Sequence, residues 1–142
     1  MAHYVTRRLH EVIDIVSKAK TKEEKINLLK EHESQALKDV LVGAYHSNVE
    51  WNLPEGRPPF EASQEGSVPS NLLKQTRNFN DLVKGGTGDN LPAFKRERIF
   101  IRMIETVHPH DAELLLKMVA KKQLAKGVTK KLVEEAFPGL IN

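Results

Sequence analysis

The residues HPHD, His108 to Asp111, put three potential metal ligands within four positions. Imidazole and carboxylate both suit a divalent cation, but tetrahedral binding needs convergent side chains and usually a fourth ligand from elsewhere. Pro109, between the two histidines, is expected to send them apart. No metal site is therefore expected, and the stretch reads as a helix start, with Asp111 complementing the first-turn N–H groups. The glycine run KGGTGDN, Lys84 to Asn90, raises a second chemistry, phosphate cradling. It lacks the G-x-x-x-x-G-K-[ST] spacing and no strand leads into it, so a turn between helices is the expectation. No Ser-His-Asp arrangement or carboxylate pair stands out, because the acids are mostly interleaved with lysines at helical spacing, as on solvated faces. The chain has no cysteine, which removes thiol catalysis, disulfides and Cys-based zinc sites together. The expectation is a non-enzymatic protein with no cofactor and no small-molecule substrate.

The basic residues are more informative. In FKRERIFIRMIETVHP, Lys95, Arg98 and Arg102 recur at i, i+3 and i+7, opposite an apolar arc of Ile99, Phe100, Met103, Ile104 and Val107. Such a stripe is either a solvent-facing side or a helix laid along a phosphate backbone. Near the end of the chain, Lys121, Lys122, Lys126, Lys130 and Lys131 are five basic residues in eleven, with no acid among them. The Gly127 turn and a helix capped by Thr129 adjoin one another there, presenting free N–H groups and the positive end of a dipole. Two lysines in a first helical turn oppose the usual preference for acids, a conflict that an anion at the site would relieve. The charge is uneven along the chain. Residues 1–70 hold 9 basic and 11 acidic side chains, net −2, whereas residues 71–142 hold 13 and 8, net +5. A basic second half reads either as a solvated lysine-rich surface or as the footprint of a polyanionic partner.

Helices must position these groups. Val5, Leu9, Val12, Ile13 and Val16 form one stripe of a first helix ending near Ala19. Thr21-Lys22-Glu23-Glu24 reads as a capping box that opens a second. A third runs from about Ser34 to His46, with Leu37, Val40, Leu41, Ala44 and Tyr45 inward. Residues 48–70 hold four prolines and two glycines, which exclude a regular helix. Val49, Trp51, Leu53 and Phe60 would anchor this crossover loop to the core. Val68-Pro69-Ser70 reads as the opening of a fourth helix, with Leu72, Leu73, Phe79, Leu82 and Val83 available for burial. Pro92 suits the start of the next, His108 to Asp111 the start of a sixth, and Pro138-Gly139 stops the last. The reading is all-α: a compact single domain over residues 1–142, about seven orthogonally packed helices, with no convincing strand. Its 142 residues suffice for one core, and 39% of them are hydrophobic. No signal peptide opens the chain, and no apolar run approaches the ~18 residues of a membrane span.

LLLKMVAKKQLAKGVTKKLVEEAFPGLI, Leu114 to Ile141, resembles the end of the N-terminal helical DNA-binding domain of phage-type ATP-dependent DNA ligases. Gly127-Val128-Thr129 and Phe137-Pro138-Gly139-Leu140-Ile141 carry the likeness there. Thr21, Lys22, Lys25, Leu29, Leu37, Lys38 and Val40 carry it near the start. The whole chain also resembles a small protein family of T-even-like phages and their cyanobacterial-phage relatives. The ligase resemblance implies an all-helical clamp that grips duplex DNA through phosphates, largely without reading sequence. It implies no ligation, since the chain has no Asp-Gly and ends where the nucleotidyltransferase domain would begin. One departure stands out: Lys121-Lys122-Gln123 occupies the place of an acid and an arginine in many ligases. The expected partner is duplex DNA, contacted by Lys126, Gly127, Thr129, Lys130 and Lys131, with Lys121, Lys122, Lys95, Arg98 and Arg102 extending the track. The expected setting is the cytoplasm of an infected bacterial host. The alternative is a protein-interaction module binding a host or phage protein through the Trp51–Phe60 segment.

Overall fold

A computed structural model describes residues 8–54, 56–63 and 76–141. Within them, 3–4 spacing of apolar residues becomes helix much as the pattern predicts. Helix α1 (Leu9–Lys18) buries Leu9, Val12, Ile13 and Val16; Val5 lies outside the described residues. Helix α2 (Lys22–Glu31) opens at Thr21, whose hydroxyl accepts from the Glu24 N–H at 3.1 Å. The Glu24 carboxylate reaches one residue further back than a capping box requires, to the Lys20 N–H at 3.2 Å. Helix α3 (Gln35–Tyr45) is capped by Ser34, which accepts from the Leu37 N–H at 3.1 Å. Helices α4 (Ala93–Thr106), α5 (Pro109–Val119) and α6 (Lys130–Ala136) complete the set. The described residues thus form six α-helices in one compact domain, with no strand beyond an isolated bridge between Trp51 and Val83.

The expected fourth helix differs. Val68, Pro69, Ser70, Leu72 and Leu73 lie outside the described residues, and residues Thr76–Asp81 form a 3-10 helix. Phe79 and Leu82 are buried there as anticipated. Leu82 and Lys84 pair with the crossover instead of continuing a helix: Asn52 N–H donates to the Leu82 carbonyl (2.7 Å) and Lys84 N–H to the Glu50 carbonyl (2.8 Å).

Helix α5 is the hub, packing against α1, α3 and α4, while α2 packs against α1 and α6. Leu115 and Met118 on α5 are fully buried, as are Leu37 and Leu41 of α3. Trp51 seals the α3–α5 contact. Its indole N–H donates to the Gly43 carbonyl at 2.9 Å, and its ring meets Phe79 edge-on at 5.5 Å. Trp51 and Phe60 do anchor the Pro-rich crossover, as the apolar spacing implied. Trp51 is buried, however, with 9% of its surface exposed, so it is no docking residue. Phe60 is half-buried, with the Arg57 guanidinium 5.0 Å above its ring.

The glycine run is a structural turn. A Cβ at Gly86 or Gly88 would collide with the backbone carbonyls of Asn80 and Asp81. Gly85 N–H donates to the Asp89 carboxylate at 2.8 Å, and the Thr87 hydroxyl to that of Asp81. Arg96 clamps the turn from α4. Its Nε donates to the Asn52 carbonyl and its Nη1 to that of Gly88, both at 3.1 Å, and Nη1 also reaches Leu91.

Candidate functional site: a tethered lysine turn and a histidine cluster

Helix α5 ends in a Schellman turn. Lys122 N–H donates to the Lys117 carbonyl and Lys121 N–H to that of Met118, each at 3.0 Å. Lys121 takes the left-handed conformation there, φ 56°, where glycine is usual. Its ammonium turns back to the C-terminus of α3, donating to the carbonyls of His46 (2.7 Å) and Gly43 (3.1 Å). Burial, with the nearby Lys130 charge second, holds its pKa below the ordinary lysine value. Lys121 is therefore engaged in capping α3, which its position in the basic stretch did not foretell.

The next segment, Leu124 to Val128, is pinned from four helices. Ser17 of α1 donates to the Lys126 carbonyl (2.6 Å), Lys25 of α2 to Gly127 (3.4 Å) and Lys117 of α5 to Leu124 (3.3 Å). Tyr45 of α3 makes the central tie: its hydroxyl donates to the Val128 carbonyl (2.5 Å) and accepts from the Leu124 N–H (3.0 Å). Leu124 and Val128 fill the core beneath. Burial raises the Tyr45 pKa, an effect that the Leu124 hydrogen bond opposes. Gly127 supplies the turn at φ +79°, and Thr129 caps α6 by accepting from the Leu132 N–H at 3.1 Å.

With the carbonyls held inward, Lys122, Lys126, Lys130 and Lys131 are exposed. Among the described residues, the ion pairs engage Lys18, Lys22, Lys38, Lys84, Arg57 and His10, and none of these four lysines. Helix α6 spans only 7 residues, so its dipole adds little and the four ammonium groups carry the electrostatics. Lys95, Arg98 and Arg102 are likewise exposed on α4, and Arg98 sits 6.0 Å above the ring of Phe94. The two tracts have separate supports: α4 packs on α5, and α6 on α2.

The histidines correct an expectation. Pro109 at the first position of α5 does not spread His108 and His110, because its fixed φ suits a helix start. His108 becomes the N-cap, its Nδ1 accepting from the His110 N–H at 3.1 Å. The two rings lie 5.2 Å apart. His10 joins them from α1, stacked on His108 at 4.4 Å and edge-on to His110 at 5.1 Å. Asp111, 2% exposed, is the acid in the first turn of α5, as expected, but its hydrogen bonds go to a neighbouring helix. Its Oδ1 accepts from the His10 N–H (2.9 Å) and from His10 Nδ1 (2.8 Å). The cap that Arg8 cannot supply to α1 thus comes from α5, with Glu11 closing on the Arg8 N–H at 2.9 Å. A cleft of about 550 Å³ opens beside the cluster, lined by His10, Glu11, Asp14, His110 and Glu113 among others. The Arg57 guanidinium grips Glu113 at 2.7 and 2.8 Å, and this hydrogen bond holds the Glu113 pKa below its ordinary value. Sequence reasoning missed His10 and Arg96, and placed Tyr45 inward without its tie to the turn. The one local signal for His10 was a helix start without a capping residue.

The fold and these sites define a single-domain helical protein with a rigidly held basic turn. The chain belongs to DUF6433, a family of unknown function, which it matches over residues 12–126. That span includes His108, His110, the basic residues of α4, and Lys121, Lys122 and Lys126; His10, Gly127 and α6 fall outside it. No curated protein and no solved structure matches the chain.

Proposed function

We propose that the protein is a non-catalytic helical domain that binds duplex DNA through its backbone phosphates, largely independent of sequence. One observation carries the reading: Lys122, Lys126, Lys130 and Lys131 are exposed and, among the described residues, free of ion pairs on a turn tied down by Ser17, Lys25 and Tyr45. Rigid support lowers the ordering cost of each phosphate contact. Contacts of this kind position a protein on the duplex without specifying sequence. The ligase resemblance supports the reading with the same turn, and the phage resemblance would set it in the cytoplasm of an infected bacterial host. Lys95, Arg98 and Arg102 would extend the track. The protein-interaction alternative has lost Trp51 to the core.

With Lys121 committed to α3, the four lysines at the turn alone give a slope of about −3.6 for log K against log salt, which contacts from α4 would steepen. Affinity should then fall roughly 150-fold between 50 and 200 mM salt. Anisotropy of a labelled duplex tests this for the wild type and for Lys126→Glu/Lys130→Glu/Lys131→Glu. Flat binding across that range, or a triple variant that binds like wild type, refutes the proposal.

A further inference from the structure

We propose that His10, His108 and His110 form a binding site for a divalent transition metal of the zinc type. The ring nitrogens of the three residues lie within 4.8 Å of one another. Two nitrogens on tetrahedral zinc, each bonded at ~2.0–2.1 Å, stand about 3.3 Å apart. Ring rotation closes that gap: His110, which is exposed, has the freedom to rotate, and the stacked rings of His10 and His108 must tilt from their 22° interplanar angle for their in-plane lone pairs to converge.

Asp111 is the second observation. A buried carboxylate that accepts a hydrogen bond from the Nδ1–H of His10 fixes the tautomer and leaves Nε2 as the nitrogen with a lone pair for a metal. Metal-binding histidines are oriented by this kind of partner. His108 is differently prepared, because its Nδ1 accepts the His110 N–H. It joins by exchanging that capping bond for a metal bond. Three imidazoles without a thiolate suit zinc, nickel or copper, and reject magnesium and calcium, which prefer oxygen. The fourth position would face the cleft beside His10 and His110, where water has access.

Titration of the tag-free full chain with zinc chloride, followed by calorimetry, tests the site. Cobalt provides a second readout through the visible absorption of a tetrahedral complex. Two substitutions separate binding from folding. His110→Ala removes an exposed ligand, and His108→Asn removes an imidazole while keeping a strong N-cap. Wild type is expected to take up one ion per chain, and each variant should keep its helical circular dichroism but bind at least about tenfold more weakly. His32→Ala, away from the cluster, should bind as wild type, and magnesium should give no saturable heat. No saturable zinc uptake by the wild type, or less than tenfold weakening in either variant, overturns the proposal.

Discussion

Replacing Tyr45 by phenylalanine tests whether the lysine turn is held as the structure implies. The substitution keeps the ring and deletes one hydroxyl. That hydroxyl is the acceptor for the Leu124 N–H and the donor to the Val128 carbonyl. Leu124 and Val128 are 1% and 0% exposed, so water has little room to substitute. An unsatisfied buried donor costs about 1–3 kcal/mol. Partial relaxation around the carbonyl, which tolerates loss better than an N–H, sets the expected sum at about 2 kcal/mol. For a chain of this size that corresponds to a Tm lower by roughly 8 °C. Urea and thermal melts by circular dichroism measure it, and amide exchange at Leu124 should accelerate by more than exchange in α4. The pH dependence gives an independent check. The folded-state pKa of Tyr45 is raised by burial, so its stabilising contribution is complete below the unfolded value of about 10. It is lost as pH rises through the folded value, and the gap between wild type and Tyr45→Phe should narrow there. Duplex affinity should fall in the variant although no charge has changed. A Tyr45→Phe protein within about 0.5 kcal/mol of wild type, the range of neutral surface substitutions, would refute the tethering argument.

Gly43→Ala should destabilise by about 1–3 kcal/mol, because a Cβ there would stand 2.7 Å from both Met118 Sδ and Trp51 Cζ2; Trp51 fluorescence and urea midpoints report it. Glu113→Gln should change the urea midpoint little at neutral pH, since the pair with Arg57 is exposed. The Glu113 pKa is depressed chiefly by its hydrogen bond to Arg57. Its stabilising contribution is therefore present above the ordinary glutamate value and lost as pH falls through the folded one. The variant should lack that acid limb in midpoints taken from about pH 6 to 3.

Most helices were legible because their causes are local. Thr21, Ser34 and Thr129 each cap the helix directly after them, and apolar spacing marks the buried faces of α1, α3 and α4. Two helix ends were illegible because their causes are remote or atypical. The start of α1 is stabilised by Asp111, 101 residues away. The end of α5 places a lysine in a left-handed position that sequence patterns reserve for glycine. The 3-10 helix and the bridge to Trp51 arise from pairing across the crossover, which has no period to detect.

The site was legible as a basic turn but not as a division of labour. Lys121 and Lys122 are adjacent and chemically identical, and only packing assigns one to the α3 carbonyls and the other to solvent. A left-handed lysine and a partly desolvated ammonium are each unfavourable alone. Together they satisfy the end of α3 and turn the chain from α5 into the tethered segment. The start of α5 works the same way. His108 caps its own helix, Asp111 caps α1, and the Asp111 bonds hold His10 against the other two rings. One helix therefore organises both candidate sites by lending polar side chains from its two ends to the ends of its neighbours. Charge at the lysine turn and ligands at the histidine cluster result from that exchange, since each lent side chain fixes the backbone from which the exposed groups project.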